Sequence, residues 1–595
     1  MKRLDLEDPE GGVIALSVAL TTILLLLSLA GCGRSTHDYP VSETPVMMRE
    51  ADAASPARAP PVVAKVNGSR LAEARSEPQN WLTYYGTYDG QRFSPLDQVS
   101  AANVKDLRVA WAFQYGVTTI IAAPTSYAFE ATPIVVDGVM FVSGFDSYVW
   151  ALDAATGRLL WSYHHAVPLD TPLCCGNVNR GVAVAAGKVY LGSANGHLVA
   201  LDATTGREVW DVPFADVRSG ESATAAPLVV KGLVIVGSSG GEYGTRGHID
   251  AFDLETGARA WRRYTIPKPG EPGSESWEDE DKTAWQRGGG AAWITGTYDS
   301  ALDLLYWGTS NPGPVFDGAP RPGANLFTNS VLALDPDDGA IRWHYQWTPH
   351  DVWDYDGISE NILFEHEGKK LLGHFDKNGY FFLLDRTNGR FVRATPFART
   401  TWGRIDPASG AVTVSRVPTP GGMDICPGPA GAKEWNHGAF SPRTRLLYVP
   451  VVEKCGRFIA RHATFKESLP YLGGDFENRG MDGWGQVKAI DPATGREAWT
   501  WRGEYPMVGS LLATGGDLLF GGEPTGMFDA FDARTGERLW QFQTGSGIRG
   551  SPITYSVNGK QYVAVPSGWG GWVEGFAPEL YGAQRGQTLF VFALP

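Results

Sequence analysis

The sequence predicts an all-β chain: an eight-bladed β-propeller with tryptophan-docking repeats, closed by pairing of its N- and C-terminal strands. Three observations predict it. A strand-and-turn motif occurs seven times, a tryptophan follows it at a fixed distance, and the two ends of the domain each hold part of an eighth copy.

The motif reads "VWALDAATG" ending at Gly157, "LVALDATTG" at Gly206, "IDAFDLETG" at Gly257, "VLALDPDDG" at Gly339, "FFLLDRTNG" at Gly389, "VKAIDPATG" at Gly495 and "FDAFDARTG" at Gly536. In six copies a tryptophan stands four residues after the glycine: Trp161, Trp210, Trp261, Trp343, Trp499 and Trp540. Alternating apolar residues make a strand, the aspartate bonds its own backbone in the turn, the glycine accepts positive φ, and a large aromatic opens the next strand. Most spacings are about 50 residues, the length of one four-stranded blade. The longer intervals, Gly257 to Gly339 and Gly389 to Gly495, leave room for insertions. Such units bury their faces only against neighbours, so a closed ring follows. The C-terminal "TLFVFALP" supplies a strand without its turn, and "DLRVAWAF" supplies Trp111 without a preceding motif. Joined, they complete an eighth unit within a domain expected over 78–595. A sandwich or a solenoid gives these ends less reason to pair.

Composition narrows the partners. Lys plus Arg number 51 against 65 Asp plus Glu, a formal charge of −14, and no basic run could track a phosphate backbone, so nucleic acid is not an expected partner. With 43% hydrophobic residues and 21 tryptophans, the chain can fill an extensive core.

Residues 1–31 read as a lipoprotein-type signal. An apolar run from Val13 to Ala30 leads to Leu29-Ala30-Gly31-Cys32, which implies cleavage before Cys32 and lipid on its thiol. The alternative is a single spanning helix. Asp5, Glu7, Asp8 and Glu10 beside Lys2 and Arg3 make a poor positive leader and point to a start further along. The expected location is periplasmic, with the membrane reached only through the lipid. Residues 32–77, polar and rich in Ala, Pro and Ser, read as a flexible tether.

In "TPLCCGNVNRG", Cys174 and Cys175 are adjacent. A disulfide between neighbours closes an eight-membered ring and strains the peptide, and such strain gathers at functional sites. Two reduced, buried thiols are the alternative; an export signal, which implies an oxidising compartment, favours the bond.

With this pair and the tryptophan repeats, the chain from "WLTYYGTYDGQRFSPL" to "GKQYVAVPSGWGGW" resembles the quinoprotein alcohol dehydrogenases that use pyrroloquinoline quinone (PQQ), of the lanthanide-type methanol and alcohol dehydrogenase kind. The resemblance implies disulfides Cys174–Cys175 and Cys426–Cys455. It also implies metal ligands at Glu242 in "GSSGGEYG", Asn311 in "WGTSNPGP" and Asp354 in "TPHDVWDYDG". Hard oxygen donors suit the ion such chemistry needs, although each alone would read as a turn former. Asp356 stands where calcium-dependent members carry a small uncharged residue and lanthanide-dependent members carry Asp. An added carboxylate suits a trivalent ion, and residues two apart in extended chain share a face, so a lanthanide is favoured over calcium. Otherwise Asp356 caps the turn before Gly357.

Cofactor contacts implied in the same way are Glu130 in "FEATP", Arg180, Thr224 in "ATAAP" and the backbone of Ser239, Gly240 and Gly241. Trp293 is implied as the indole beneath the quinone, the Cys174–Cys175 ring as its lid, Lys377 as a cation near the reducible carbonyls, and Trp572 as an aromatic at the edge. The sequence departs from many relatives at Ala291, Glu434 and Val508, which bears on substrate range. The implied reaction is oxidation of a primary alcohol to an aldehyde, with Asp354 as base in a metal-assisted hydride transfer. No Cys-x-x-Cys-His occurs, so electrons are expected to pass to a separate cytochrome c or similar acceptor. A homodimer is compatible with the sequence. A non-catalytic propeller scaffold of outer-membrane protein assembly is the alternative, but it has no use for adjacent cysteines and four oxygen ligands.

Overall fold

The computed structural model describes residues 66–115, 128–477, 483–571 and 585–595. Seven four-stranded antiparallel sheets are built in chain order. They lie at Ile134–His164, Ala183–Pro213, Leu228–Tyr264, Thr297–Gln346, Ile362–Pro396, Ala439–Gly503 and Leu511–Gln543, the last carrying an added edge strand, Phe93–Ser94. The eighth joins Ile553–Val557, Lys560–Ser567 and Thr588–Ala593 to Arg108–Gln114 from the other end of the domain. That final pairing is antiparallel, with Ala112 opposite Phe590 and Trp111 opposite Val591. It closes the ring as the sequence predicts.

Burial follows strand position. The innermost strand Ala183–Ala185 is buried throughout, whereas the outermost, Glu208–Pro213, exposes alternate residues. The inner strand is covered on both faces by adjacent blades, and the outer one faces solvent along part of its length. Apolar side chains from consecutive blades therefore form continuous cores between the sheets.

The turn glycines show why the repeat has its composition. A Cβ on Gly206 would lie 2.6 Å from the Trp161 ring, and Gly206 has φ of +71°. Each of these tryptophans thus lies flat on the turn of the next blade: Trp111 on Gly157, Trp210 on Gly257, Trp261 on Gly339, Trp343 on Gly389 and Trp499 on Gly536. The indole N–H groups of Trp161, Trp261 and Trp499 also donate to Ala203, Pro336 and Ala533 carbonyls at 3.0, 3.0 and 3.1 Å. Gly495 faces Thr395 and Arg393 instead, because the preceding copy lacks the tryptophan.

The long intervals hold insertions. Between Gly389 and Gly495 a hairpin, Gly403–Ile405 with Val412–Val414, precedes a three-stranded sheet of Met423–Ile425, Gly456–Ala460 and Gly474–Glu477. The Cys426–Cys455 disulfide closes the root of that sheet. Among the described residues no helix is long and apolar enough to cross a membrane.

Ordered structure reaches further toward the N-terminus than the expected boundary at Pro78. Residues 66–77 contain a short helix, Gly68–Ala72, with Val66, Leu71 and Ala74 buried against the ring. Arg70 pairs with Glu77 at 2.6 Å and with Asp137 at 2.9 Å. Three apolar residues are too few to show a period, which is why composition alone assigned this stretch to the tether. The remainder of that expected tether, the signal segment and Cys32 lie outside the described residues.

A buried polar cluster ties three segments together at Glu360, Lys433 and His437. Lys433 Nζ lies 2.9 Å from Glu360, His437 Nδ1 3.4 Å from the same carboxylate, and His437 Nε2 2.9 Å from the Tyr84 hydroxyl. Burial works against the Glu360 charge, but Lys433 and His437 outweigh it and bring its pKa down to about 2. Burial lowers His437 to about 4.

Two outcomes follow from the fold. Trp499→Ala is expected to lower stability by about 3 kcal/mol, read as a fall in the urea midpoint; a change below about 1 kcal/mol would show that the docked indole is dispensable. As pH falls from 6.5 toward 4, the unfolded chain takes a proton that native His437 refuses, so stability drops over that window. As pH falls from 4.5 toward 2, Glu360 adds to the loss. Denaturation curves of His437→Gln should show a flatter dependence between pH 6.5 and 4, and an unchanged slope would contradict this origin.

Candidate active site

One cavity of about 250 Å³ opens among the loops at one end of the ring. Two register positions recur among its lining residues. The first lies just before the innermost strand of six blades: Glu130 before Ile134–Val136, Arg180 before Ala183–Ala185, Thr224 before Leu228–Val230, Trp293 before Thr297–Asp299, Trp435 before Ala439–Ser441 and Arg549 before Ile553–Val557. The second lies just after a blade's second strand: Glu242 after Leu233–Gly237, and Lys377 after Lys369–Phe375. Because the blades are arranged around one axis, the loops at the same end of different blades converge on one place.

At the cationic part, Glu130 pairs with Arg180 at 2.9 Å and with Arg549 at 3.3 Å. All three are buried, leaving one positive charge in excess. Arg180 is set by its backbone: its N–H donates to the Thr224 carbonyl, and its carbonyl accepts from Thr132 N–H. Its guanidinium lies 4.9 Å from the Trp293 ring centre and 4.6 Å from that of Trp435. Arg180 Nε and Nη1 and Arg549 Nε have no hydrogen-bond partner, so donors stand ready for an anion.

The anionic part lies on the neighbouring blades. Glu242, Asp354 and Asp356 all line the cavity. Lys377 Nζ is 3.0 Å from Asp356 and 3.5 Å from Asp354. Asn311 is fully buried behind Asp356 rather than on the open wall: its N–H donates to Asp356 Oδ1 at 3.1 Å, and its own Oδ1 has no partner. Burial and the charge of Asp356 push Glu242 up to about 7. Burial also raises Asp354 well above the carboxylate range against the pull of Lys377. The Lys377 ammonium is disfavoured by burial, but Asp354 and Asp356 hold its pKa above the usual lysine value. Glu242, Asp354 and Asp356 beside one ammonium, with Glu434 on the same cavity, make a set of hard oxygen donors that suits a cation.

The loop carrying these aspartates is rigidly held. Asp351 accepts the N–H groups of Trp353 and Tyr355 at 2.8 and 2.9 Å, and Asn329 Nδ2 donates to the Tyr355 carbonyl. Asp354 itself has φ of +66°, a region that costs an L-residue energy and sets its carboxylate toward the cavity. Its side chain is 19% exposed, against 5% for Asp356, so Asp354 is the one within reach of a substrate.

Cys174 and Cys175 are bonded to each other, with Cα atoms 3.8 Å apart, the separation of a trans peptide, and both line the cavity with Leu173 and Gly176. Ser239 and Gly240 complete one wall, and Ser239 Oγ lies 2.9 Å from Thr224 Oγ1. Gly240 has φ of +98° and a Cβ there would collide with the Gly220 carbonyl, so only glycine fits. Gly241 lies behind that wall, next to Glu242.

Of the three departures from the family pattern, only Glu434 reaches the cavity; it is buried and accepts the Trp435 N–H at 3.1 Å. Ala291 and Val508 are buried behind the walls. Trp572 lies outside the described residues, although Gly570, nearby in sequence, accepts from Arg549 Nη1 at 3.2 Å. Sequence reasoning missed Arg549. Its signal was positional: it stands four residues before an inner strand, as do Glu130, Thr224 and Trp293.

Residues 81–397 and 502–563 match the family model for the PQQ-binding glucose/ethanol/alcohol dehydrogenase β-propeller domain. The chain is 38% identical over 565 residues to the quinoprotein alcohol dehydrogenase PedH of Pseudomonas putida, covering 89% of this chain and 94% of that one. It is 38% identical over 551 residues to the lanthanide-dependent methanol dehydrogenase of Methylacidiphilum fumariolicum, covering 86% and 88%. Among solved structures, a europium-containing methanol dehydrogenase superposes with a TM-score of 0.81 at 35% identity over 88% of this chain and all of that one. The quinohemoprotein alcohol dehydrogenase of Comamonas testosteroni superposes with 0.82 at 35% identity, covering 90% and 83%.

The cavity's residues fit what this family binds. Unpartnered guanidinium donors beside a bonded cysteine pair and an indole suit a flat, carboxylate-bearing quinone, and the cation-deficient carboxylates with the orphaned Asn311 oxygen suit a metal ion. With a family model matching most of its length and relatives aligned along nearly all of theirs, this chain belongs to the PQQ-dependent quinoprotein alcohol dehydrogenases.

Proposed function

We propose that the protein oxidises primary alcohols to aldehydes in the periplasm, with a lanthanide favoured over calcium, and passes electrons to a separate cytochrome c. The observation that carries this reading is the meeting of Glu242, Asp354 and Asp356 beside Lys377, in the cavity that also holds Cys174, Cys175 and Trp293.

Bound PQQ would supply a two-electron oxidant, and a bound ion would supply Lewis acidity toward it. Arg180 and Arg549 would hold the quinone's carboxylates, and Trp293 and the cysteine pair would flank its plane. Glu242, Asn311, Asp354 and Asp356 would hold the ion. Asp354, more exposed than Asp356, is placed to take the substrate hydroxyl proton at a carboxylate oxygen once an ion restores its charge. Lys377 steadies that oxygen at 3.5 Å. Leu173, Val178, Phe316 and Leu472 line the space and exclude water from it.

Support for a trivalent ion comes from Asp356, whose carboxylate adds to those of Glu242, Asp354 and Glu434 in a cavity with a single lysine. The absence of Cys-x-x-Cys-His supports a separate electron acceptor. The signal-like segment ending at Cys32 supports lipid attachment. A scaffold role is not favoured, since the cavity concentrates redox- and metal-competent groups.

Chelator-treated protein should be reconstituted with PQQ plus La³⁺ or Ca²⁺ and assayed for dye-linked alcohol oxidation. La³⁺ is expected to give at least tenfold more activity, and Asp356→Ala to abolish that preference; full activity with Ca²⁺ alone would overturn the lanthanide reading. Asp354→Asn should lower kcat by roughly 10²- to 10⁴-fold, the range for loss of a general base. No turnover of any alcohol by loaded wild type would overturn the enzymatic reading itself. Fractionation tests the anchor: Cys32→Ala should move the protein from membrane to soluble periplasm, and an unchanged distribution would refute it.

A further inference from the structure

A second cluster of ligating groups stands apart from the cavity residues. His165, His197 and Asp211 place one ligand atom each within 4.8 Å of one another. His165 is the first residue after the outer strand Leu159–His164; His197 opens the strand His197–Asp202 of the next blade, and Asp211 lies on its partner Glu208–Pro213. His197 pairs opposite Pro213 and Asp211 opposite Val199, which makes the two side chains diagonal neighbours on one face of the sheet. His197 Nδ1 is 2.8 Å from Asp211 Oδ1, and their side chains are 32% and 25% exposed. The cluster is open enough to exchange an ion.

Groups around His165 supply a second, independent observation. Its Nδ1 lies 3.3 Å from the Tyr163 hydroxyl, which donates at 2.9 Å to Glu208. With that hydroxyl proton given to Glu208, His165 Nδ1 must donate to Tyr163. That tautomer leaves a lone pair on Nε2, which accepts from Asn195 Nδ2 at 3.2 Å, a contact that an ion would replace. A carboxylate-backed relay of this kind is the arrangement that orients a ligating imidazole.

We propose that His165, His197 and Asp211 form a second metal site, for a divalent transition ion of the Zn²⁺ type. Two imidazoles and one carboxylate match the mixed nitrogen and oxygen preference of such ions, with water filling the remaining positions. The ion would join two blades at the start of the segment 165–182, which carries Cys174 and Cys175. Asp146 already links the two stems of that segment: it accepts from Asn177 Nδ2 at 2.9 Å and pairs with His164 at 2.8 Å. Metal at His165 would add a tie from the stem of the cysteine-bearing loop to the next blade, beyond the one Asp146 makes within it.

Full-length, chelator-treated protein should be dialysed against Zn²⁺, and bound metal counted by elemental analysis for wild type and for His165→Gln/His197→Gln. Wild type is expected to hold one more equivalent than the double variant, which isolates this site from any Zn²⁺ taken up in the cavity. Tyr163→Phe keeps all three ligands and should weaken that equivalent by about tenfold or more, an effect expected only if the relay orients His165. Cu²⁺ bound to folded wild type offers a readout free of mutation: electron paramagnetic resonance should show hyperfine coupling to two imidazole nitrogens. Equal stoichiometry in wild type and double variant, or a Cu²⁺ signal without nitrogen coupling, would overturn the proposal.

Discussion

The structure depends on the stacking of one blade's indole on the next blade's turn. A blade alone has two apolar faces and a row of exposed strand groups; it becomes stable only when its neighbours cover it. The docked tryptophan fixes both distance and rotation between adjacent blades, since the glycine beneath it leaves no room for sliding. Repeated around the ring, that constraint makes the last blade arrive where the first began. Arg108–Gln114 then finishes the sheet of Thr588–Ala593. The site is a consequence of closure, because its walls come from segments hundreds of residues apart.

Within that frame the cavity is organised by charge. Arg180 and Arg549 against Glu130 leave a positive excess, whereas Glu242, Asp354 and Asp356 against Lys377 leave a negative one. Neither imbalance is comfortable in a buried place. The raised pKa values of Glu242 and Asp354 express the strain on the acidic part. Electrostatics of this kind favour an occupant that carries carboxylates near one part and a cation near the other.

Much of this was legible in the sequence. The seven turns marked seven blades because the same short-range physics recurs, an aspartate bonding its own turn each time and a glycine under an indole in six of them. The C-terminal strand without a turn foretold the closure. Cys174 and Cys175 marked the cavity because adjacency is rare and chemically specific. What escaped had no local signature. Arg549 sits in an ordinary "GSGIRGSP" and owes its role to a register position on the last blade. Val66 and Leu71 pack through a helix of five residues, too short for a period. His165, His197 and Asp211 meet only because one blade's outer strand ends beside the next blade's sheet.

The position four residues before an inner strand has a wider meaning. It holds glutamate, threonine, tryptophan or arginine on different blades, while the first three residues of the strand that follows are buried each time. Scaffold and chemistry are thus written in separate letters of the same repeat. A lineage could exchange one such letter per blade and rewrite the lock without disturbing the wheel, so that new substrates are reached by a few independent edits rather than by a redesign.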